Sequence, residues 1–244
     1  MARRRALQAA KPVRGFTLIE LLVALALMAL MAGLSWRGLD GMTRAQTQMR
    51  QNSDDVLTLQ AGLVQWSADL DALAQQPGTP SLDWDGRALR VLRRSTAAPE
   101  AGLLVVAWSR RSVAGTGQWL RWQSPPLRTR SELDLAWQKA AMWAQNPSDE
   151  DRQREVQIVP LDQWQIFYYR GAAWSNPLSS AGTAEDAAGA AAQGGAGPLA
   201  EQSELAAASG VPEGVRLVLT LAPGLAINGV LTRDWVRPDL GGDK

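Results

Sequence analysis

The 244-residue chain contains no cysteine and no histidine. The first absence removes disulfides, thiolate metal sites and cysteine nucleophiles, so a domain outside the cytosol must hold together by packing alone. The second removes the commonest general base, the commonest zinc ligand and every Ser-His-Asp arrangement. Acidic residues are missing from the first fifteen positions, which carry Arg3, Arg4, Arg5, Lys11 and Arg14. The formal net charge of +1 conceals this asymmetry. Without those five of the 25 basic residues, the 20 that remain face 24 acidic residues, a net of −4. Basic charge therefore belongs to residues 1–15, and the remainder lacks the electrostatic footprint of a nucleic-acid-binding surface. The length suits one ordinary domain with appendages and suffices to bury a core.

What the amino terminus has is an apolar run from Phe16 to Leu34, in which Glu20 is the only charged residue. As a helix rising about 1.5 Å per residue it measures roughly 28 Å, close to the hydrocarbon thickness of a bilayer. The basic cluster precedes it, so the positive-inside rule leaves residues 1–15 in the cytoplasm and sends Trp36 onward to the far side. A secretory signal peptide or a plain signal anchor fits charge and hydropathy equally well. Three details argue otherwise: a Gly15-Phe16 step opens the run, a lone carboxylate follows Phe16 by four residues, and no persuasive small-x-small cleavage site cleanly ends the segment. An acidic side chain in an inserted helix costs about 2.5 to 3.5 kcal/mol near the bilayer centre and needs a partner. Cleavage between Gly15 and Phe16 creates an amine one helical turn from Glu20, and the positive end of the helix also favours a carboxylate there. Within one subunit that pair neutralises itself. Between stacked subunits, Glu20 meets a neighbour's terminal amine and sets axial register.

The string Gly15-Phe16-Thr17-Leu18-Ile19-Glu20-Leu21-Leu22-Val23-Ala24 resembles the processing site of type IV pilins and type II secretion pseudopilins. The resemblance implies that a prepilin peptidase cuts after Gly15, that the new amino-terminal Phe16 is methylated, and that Glu20 assists subunit assembly. It further implies a single-pass protein of a bacterial inner membrane, with a cytoplasmic amino terminus and a periplasmic carboxy-terminal head.

Beyond the apolar run the pattern stays helical. Val56, Leu59, Leu63, Trp66, Leu70 and Leu73 recur at spacings of three and four, with Arg50, Asp54, Asp55, Asp69 and Asp71 mostly elsewhere on the wheel. The helix is expected to run to about Gln76, where Pro77-Gly78-Thr79-Pro80 stops it. Gly33, Gly38 and Gly41 predict a bend or local melting near the membrane exit. Next come short strands over Ala88–Arg94, Leu103–Ser109 and Gly117–Gln123, then a helix over Ser131–Ala144 capped by Ser131. Further strands are expected at Val156–Val159, Gln163–Tyr169, Val215–Leu221 and Gly229–Val236. The expected fold is α+β: a long N-terminal helix, membrane-spanning in its first half, packed on an antiparallel sheet head made of two strand groups. The domain reading is a leader at 1–15, a transmembrane and assembly helix at 16–35, its amphipathic continuation at 36–76, and a head at 77–244. A low-complexity, Ala- and Gly-rich loop at about 178–210 interrupts that head.

Several local patterns, in their order along the chain, are similar to the J-type minor pseudopilin of type II secretion. They are Trp36-Arg37-Gly38-Leu39-Asp40, Asp69-Leu70, Trp164-Gln165-Ile166-Phe167-Tyr168-Tyr169-Arg170-Gly171 followed by Trp174, and Pro212-Glu213-Gly214-Val215-Arg216-Leu217. Ala68 stands before Asp69, where the resemblance leads one to expect arginine. The resemblance implies a structural, non-enzymatic subunit at the tip of a periplasmic pseudopilus. Its implied partners are the I- and K-type minor pseudopilins, the major pseudopilin, secreted substrates and the outer-membrane secretin. The alternatives are a minor type IV pilin of the W type and a signal-anchored periplasmic binding domain.

Other constellations carry less chemistry. Asp83-Trp84-Asp85-Gly86 resembles the opening of a calcium loop, but no closing glutamate follows and a hairpin turn is preferred. Asp149-Glu150-Asp151 reads as a solvated loop. Serine–lysine chemistry would require Lys139, which has no neighbouring serine motif. No cofactor or metal is expected. Of the eleven tryptophans, Trp66, Trp108, Trp122 and Trp164 fall at core positions, whereas Trp119, Trp174 and Trp235 lie nearer turns or strand ends as candidates for exposure.

Overall fold

The computed structural model of the chain describes residues 15–96, 102–170, 173–178 and 211–238. Most of the loop expected at 178–210, and the leader up to residue 14, lie outside the described residues. The chain divides into two compact units between Gln51 and Asn52.

Helix α1 spans Leu18–Asp71. It runs unbroken through Gly33, Gly38 and Gly41, so the melting expected there does not occur. The cost of about 1 kcal/mol per glycine is too small to interrupt a ladder of backbone hydrogen bonds this long. Among the described residues of the first unit the large apolar side chains are all exposed, including Leu21, Leu22, Leu25, Leu30 and Leu34. Farther along, Thr43 and Thr47 return their hydroxyls to the carbonyls of Leu39 and Thr43, and Asp40 pairs with Arg44 across one turn at 2.8 Å.

The second unit is the head. The helix ends at Asp71, five residues before the expected Gln76, because the chain there is drawn into the sheet. Ala74 N–H donates to the Leu92 carbonyl, Arg94 N–H to the Ala72 carbonyl, and Leu73 bridges Arg93. Strands β1 (Leu82–Trp84), β2 (Ala88–Arg94), β3 (Leu103–Val113) and β4 (Thr116–Gln123) form an antiparallel meander. Helix α2 (Arg130–Gln145) and the short α3 (Asp149–Gln153) lead into β5 (Glu155–Arg170), β6 (Ala173–Ser175), β7 (Gly214–Leu221) and β8 (Gly229–Val236).

The two strand groups expected from sequence are one sheet, of order β1-β2-β3-β4-β5-β7-β8, with β6 also paired to β5. The two segments expected at Val156–Val159 and Gln163–Tyr169 are a single strand that joins the groups. Its first part pairs with β4 as far as Pro160, and from Leu161 it pairs with β7. Pro160 has no N–H to donate, and it sits at the changeover between partners, where its interruption of the ladder is tolerated.

Each face of the sheet has its own core. One face receives Leu59, Trp66 and Leu70 of α1 against Leu89, Val91, Val106, Trp108, Trp119 and Val159, continuing to Leu217, Leu219 and Trp235. The other receives Leu133, Ala136, Ala140 and Trp143 of α2 against Leu92, Val105, Ala107, Leu120 and Trp122. Strands β2 and β3 are thus covered on both faces, which explains the continuous apolar run Leu103–Trp108 of β3 and the apolar residues on both faces of β2. Gly62 lets α1 approach closely: a Cβ there would lie 2.5 Å from Ile158 Cγ2 and 3.1 Å from the Trp119 ring. Trp119 and Trp235 are buried, contrary to the exposure considered for them, and Trp174 is half-buried. Both buried rings face α1, which a position near a strand end does not reveal.

The cap of α2 is Thr129 rather than Ser131. Thr129 accepts from Glu132 N–H at 3.3 Å, and the Glu132 carboxylate accepts from Thr129 N–H at 3.0 Å. Only Thr129 stands three residues before a glutamate, the spacing a reciprocal capping box requires.

Candidate functional site

Gly15, Phe16 and Thr17 precede α1 without regular structure, and Phe16 is 80% exposed. Apart from Gly15 itself and its chain neighbours, nothing among the described residues lies within 4 Å of where a Gly15 Cβ would stand. Helix α1 begins immediately afterwards, with the Glu20 and Leu21 N–H groups donating to the Thr17 carbonyl at 3.1 and 3.2 Å. Glu20 is the acidic residue of the first turn. There the unpaired amide hydrogens favour a carboxylate by about 0.3 to 1 kcal/mol, an arrangement compatible with an added amine at residue 16. The helix that follows is long and apolar enough to cross a membrane.

Within the head, the constellations weighed from sequence resolve into structural roles. Asp83 pairs with Arg90 on the adjacent strand, and Asp85 accepts from the N–H groups of Arg87 and Ala88 at 2.9 and 2.7 Å. Gly86, at φ 87°, completes the β1–β2 hairpin turn. Asp149, Glu150 and Asp151 open α3 rather than forming a loop, with Ser148 and Asp151 in a capping box. Burial acts to raise the Asp151 pKa, but its bonds from Ser148 and the charge of Lys139 prevail and hold it below the ordinary value. Lys139 lies 3.2 Å from Glu150 and 3.4 Å from Asp151, which makes it a tie between α2 and α3. Among the described residues, no group of three or more Asp and Glu comes together in a way that could hold a metal ion.

A cluster that sequence reasoning missed lies at the end of α1. Asp69 is fully buried. Its carboxylate accepts from Gln65 Nε2 at 2.8 Å, Trp108 Nε1 at 2.9 Å, Arg121 Nε at 2.8 Å and Arg121 Nη2 at 2.9 Å, and it also pairs with Arg93. The periodicity placed Asp69 away from the apolar face. Its spacing of three from Trp66 and four from Leu73 was a signal that it belongs to that face. The arginine expected at position 68 is absent, and two arginines reach Asp69 from β2 and β4 instead. Asp71, two residues on, accepts from Trp235 Nε1 of β8 at 2.8 Å. A second, half-buried pair joins Arg111 of β3 to Glu155 of β5 at 2.7 Å, and Trp143 Nε1 of α2 donates to the same carboxylate at 2.8 Å.

Residues 11–36 match the family model described as the prokaryotic N-terminal methylation motif. No curated protein matches the chain. Among solved structures, the crystal structure of the GspK-GspI-GspJ complex from the enterotoxigenic Escherichia coli type 2 secretion system aligns at 14% identity and a TM-score of 0.40. The alignment covers 75% of this chain and 96% of that one. A likeness that loose carries no argument, and the matched motif stands as the finding.

Proposed function

We propose that this chain is a minor pseudopilin of a type II secretion system, of the J type: a structural subunit at the tip of a periplasmic pseudopilus that supports protein export across the outer membrane. The observation that carries the reading is the methylation motif over residues 11–36, set at the start of a long apolar helix whose first turn holds a single carboxylate, Glu20. In this reading a prepilin peptidase cuts between Gly15 and Phe16 and Phe16 is N-methylated. Residues 16–35 then anchor the subunit in the inner membrane, with the head in the periplasm. Glu20 neutralises a terminal amine, its own before assembly and a neighbour's within the filament. An apolar helix of this kind enters a bundle of like helices without a change of environment, and a buried carboxylate is tolerated only where a cation meets it. The order of the patterns from Trp36 to Leu217 favours the J type, with I- and K-type minor pseudopilins as partners. In this reading the chain turns over no substrate.

The test is the intact mass and amino-terminal sequence of the membrane-extracted protein, from cells with and without a prepilin peptidase. A peptidase-dependent chain beginning at methylated Phe16 is expected. An uncut chain, or one cut after the apolar run, overturns the reading. Co-purification with I- and K-type subunits, rather than with pilus subunits, tests the J assignment separately.

A further inference from the structure

The cluster around Asp69 is badly composed for stability alone. It buries two guanidinium groups, with the Arg93 and Arg121 side chains 6% and 12% exposed, against one fully buried carboxylate. Among the described residues, that leaves one positive charge in excess beside a core of leucine, valine and tryptophan, with Thr96 and Gln123 as the further side-chain partners of the two guanidiniums. Buried ion clusters of this kind are often matched or exceeded in stability by apolar residues of similar volume.

What apolar packing cannot supply is direction. Leu59, Trp66 and Leu70 gain nearly the same free energy from several rotations and small axial shifts of a helix on an apolar sheet face, because the hydrophobic effect is non-directional. The Asp69 carboxylate is directional. Its five bonds come from one residue a turn earlier on α1 and from three successive strands, Arg93 on β2, Trp108 on β3 and Arg121 on β4. The outer donors are themselves fixed, Arg93 Nη2 by Thr96 Oγ1 at 3.0 Å and Arg121 Nη2 by Gln123 Oε1 at 2.9 Å. A shift of one residue along α1 would turn the carboxylate through about 100° and leave both guanidiniums buried without it.

We propose that Asp69, Arg93 and Arg121 form a register device: the cluster selects one axial and rotational setting of the carboxy-terminal part of α1 on the sheet, beyond any stability it adds. Asp69 is a positioning residue in this sense. The proposal holds whether or not the chain is a pseudopilin.

Trp66 on α1 and Trp119 on β4 are suitable reporters. Both are fully buried on the shared face, and neither indole N–H has a hydrogen-bond partner, so their resonances respond to packing rather than to loss of a bond. The experiment records indole N–H resonances of the full chain in detergent micelles, labelled with 15N at tryptophan. It compares the wild type with the triple variant Asp69→Met, Arg93→Leu, Arg121→Leu and with the charge-balanced variant Arg121→Met. Wild-type protein should give one resonance for each reporter. The triple variant should melt within a few degrees of wild type yet show split or exchange-broadened reporter resonances, with a second setting populated to about a tenth or more. Arg121→Met should show the same splitting. Single reporter resonances at wild-type positions in either folded variant overturn the proposal. Failure of both variants to fold also overturns it, because the cluster would then act through stability alone.

Discussion

Arg121 grips Asp69 with both arms of its guanidinium fork, Nε to Oδ2 at 2.8 Å and Nη2 to Oδ1 at 2.9 Å, across 52 residues of sequence. The contact ties the third residue from the end of α1 to the fourth strand. Truncating one partner of such a buried group leaves charge without compensation, at a cost of about 3 to 5 kcal/mol. Asp69→Ala is therefore expected to lower head stability by that amount. Denaturant unfolding of the full chain in detergent measures it, and a loss under about 1 kcal/mol would contradict the burial argument.

Gly62 is expected to tolerate no side chain. The Cβ of Gly62→Ala would meet Ile158 Cγ2 at 2.5 Å, so either the helix or β5 must move, at a cost of about 1 to 3 kcal/mol. The double variant with Ile158→Ala should recover part of the loss. Thermal melts of the two single variants and the double variant form the cycle, and strict additivity would show that the two positions do not collide.

The β3–β4 hairpin turns through Ala114 and Gly115, both at positive φ, 49° and 85°. Such a two-residue turn needs the left-handed region at both positions, which costs an alanine roughly 1 kcal/mol relative to glycine. Ala114→Gly should therefore raise stability slightly, by up to about 1 kcal/mol, despite the greater freedom glycine gives the unfolded chain. A lower melting temperature for the variant would show that the entropy term dominates.

Three carboxyl groups predict the acid response. Asp234 is held below its ordinary pKa first by the hydrogen bonds from Arg216, Glu132 by the N–H groups of Arg128 and Thr129, and Asp151 by Ser148 and Lys139 against the opposing effect of burial. A carboxyl with a depressed folded-state pKa stabilises the fold above its unfolded value, near 4, and loses that contribution as pH falls through the folded value. Stability from these groups should be level near neutrality and fall below about pH 4. Asp234→Asn should make the fall shallower. Urea midpoints across that range test the sign, and stability that rises on acidification would refute it.

Glu20→Ala should leave processing between Gly15 and Phe16 intact while impairing assembly, because in the proposed role the carboxylate acts on a terminal amine made by the cut. Immunoblots separate precursor from mature chain, and cross-linking into filaments reports incorporation. Normal incorporation with normal secretion would remove the assembly role.

Much of this molecule is local and was readable as such. The basic cluster of residues 1–15, the Gly15-Phe16 step and the apolar run with Glu20 are contiguous. The strands at Ala88–Arg94 and Gly229–Val236 were placed to the residue, because apolar and β-branched runs between turn residues are local signals. The cap of α2 is also a local signal, carried by the three-residue spacing of Thr129 and Glu132. Other features depended on distant partners. Whether Val156–Val159 and Gln163–Tyr169 were two strands or one depended on β4 and β7 flanking the same extended segment on either side of Pro160. The burial of Trp119 and Trp235 depended on where α1 lies.

Asp69 marks the division most clearly. The sequence by itself determined the helix that carries this residue, the membrane-compatible run at the start of that helix, and the α+β class, since each follows from periodicity and composition over neighbouring residues. Only the tertiary structure decided that a carboxylate expected on the polar side of α1 is, among the described residues, the most densely bonded acid of the head. Its partners Arg93, Trp108 and Arg121 lie 24, 39 and 52 residues away. No local pattern records which distant donors will converge on a charge, because that convergence exists only once the strands have paired and the helix has settled across them.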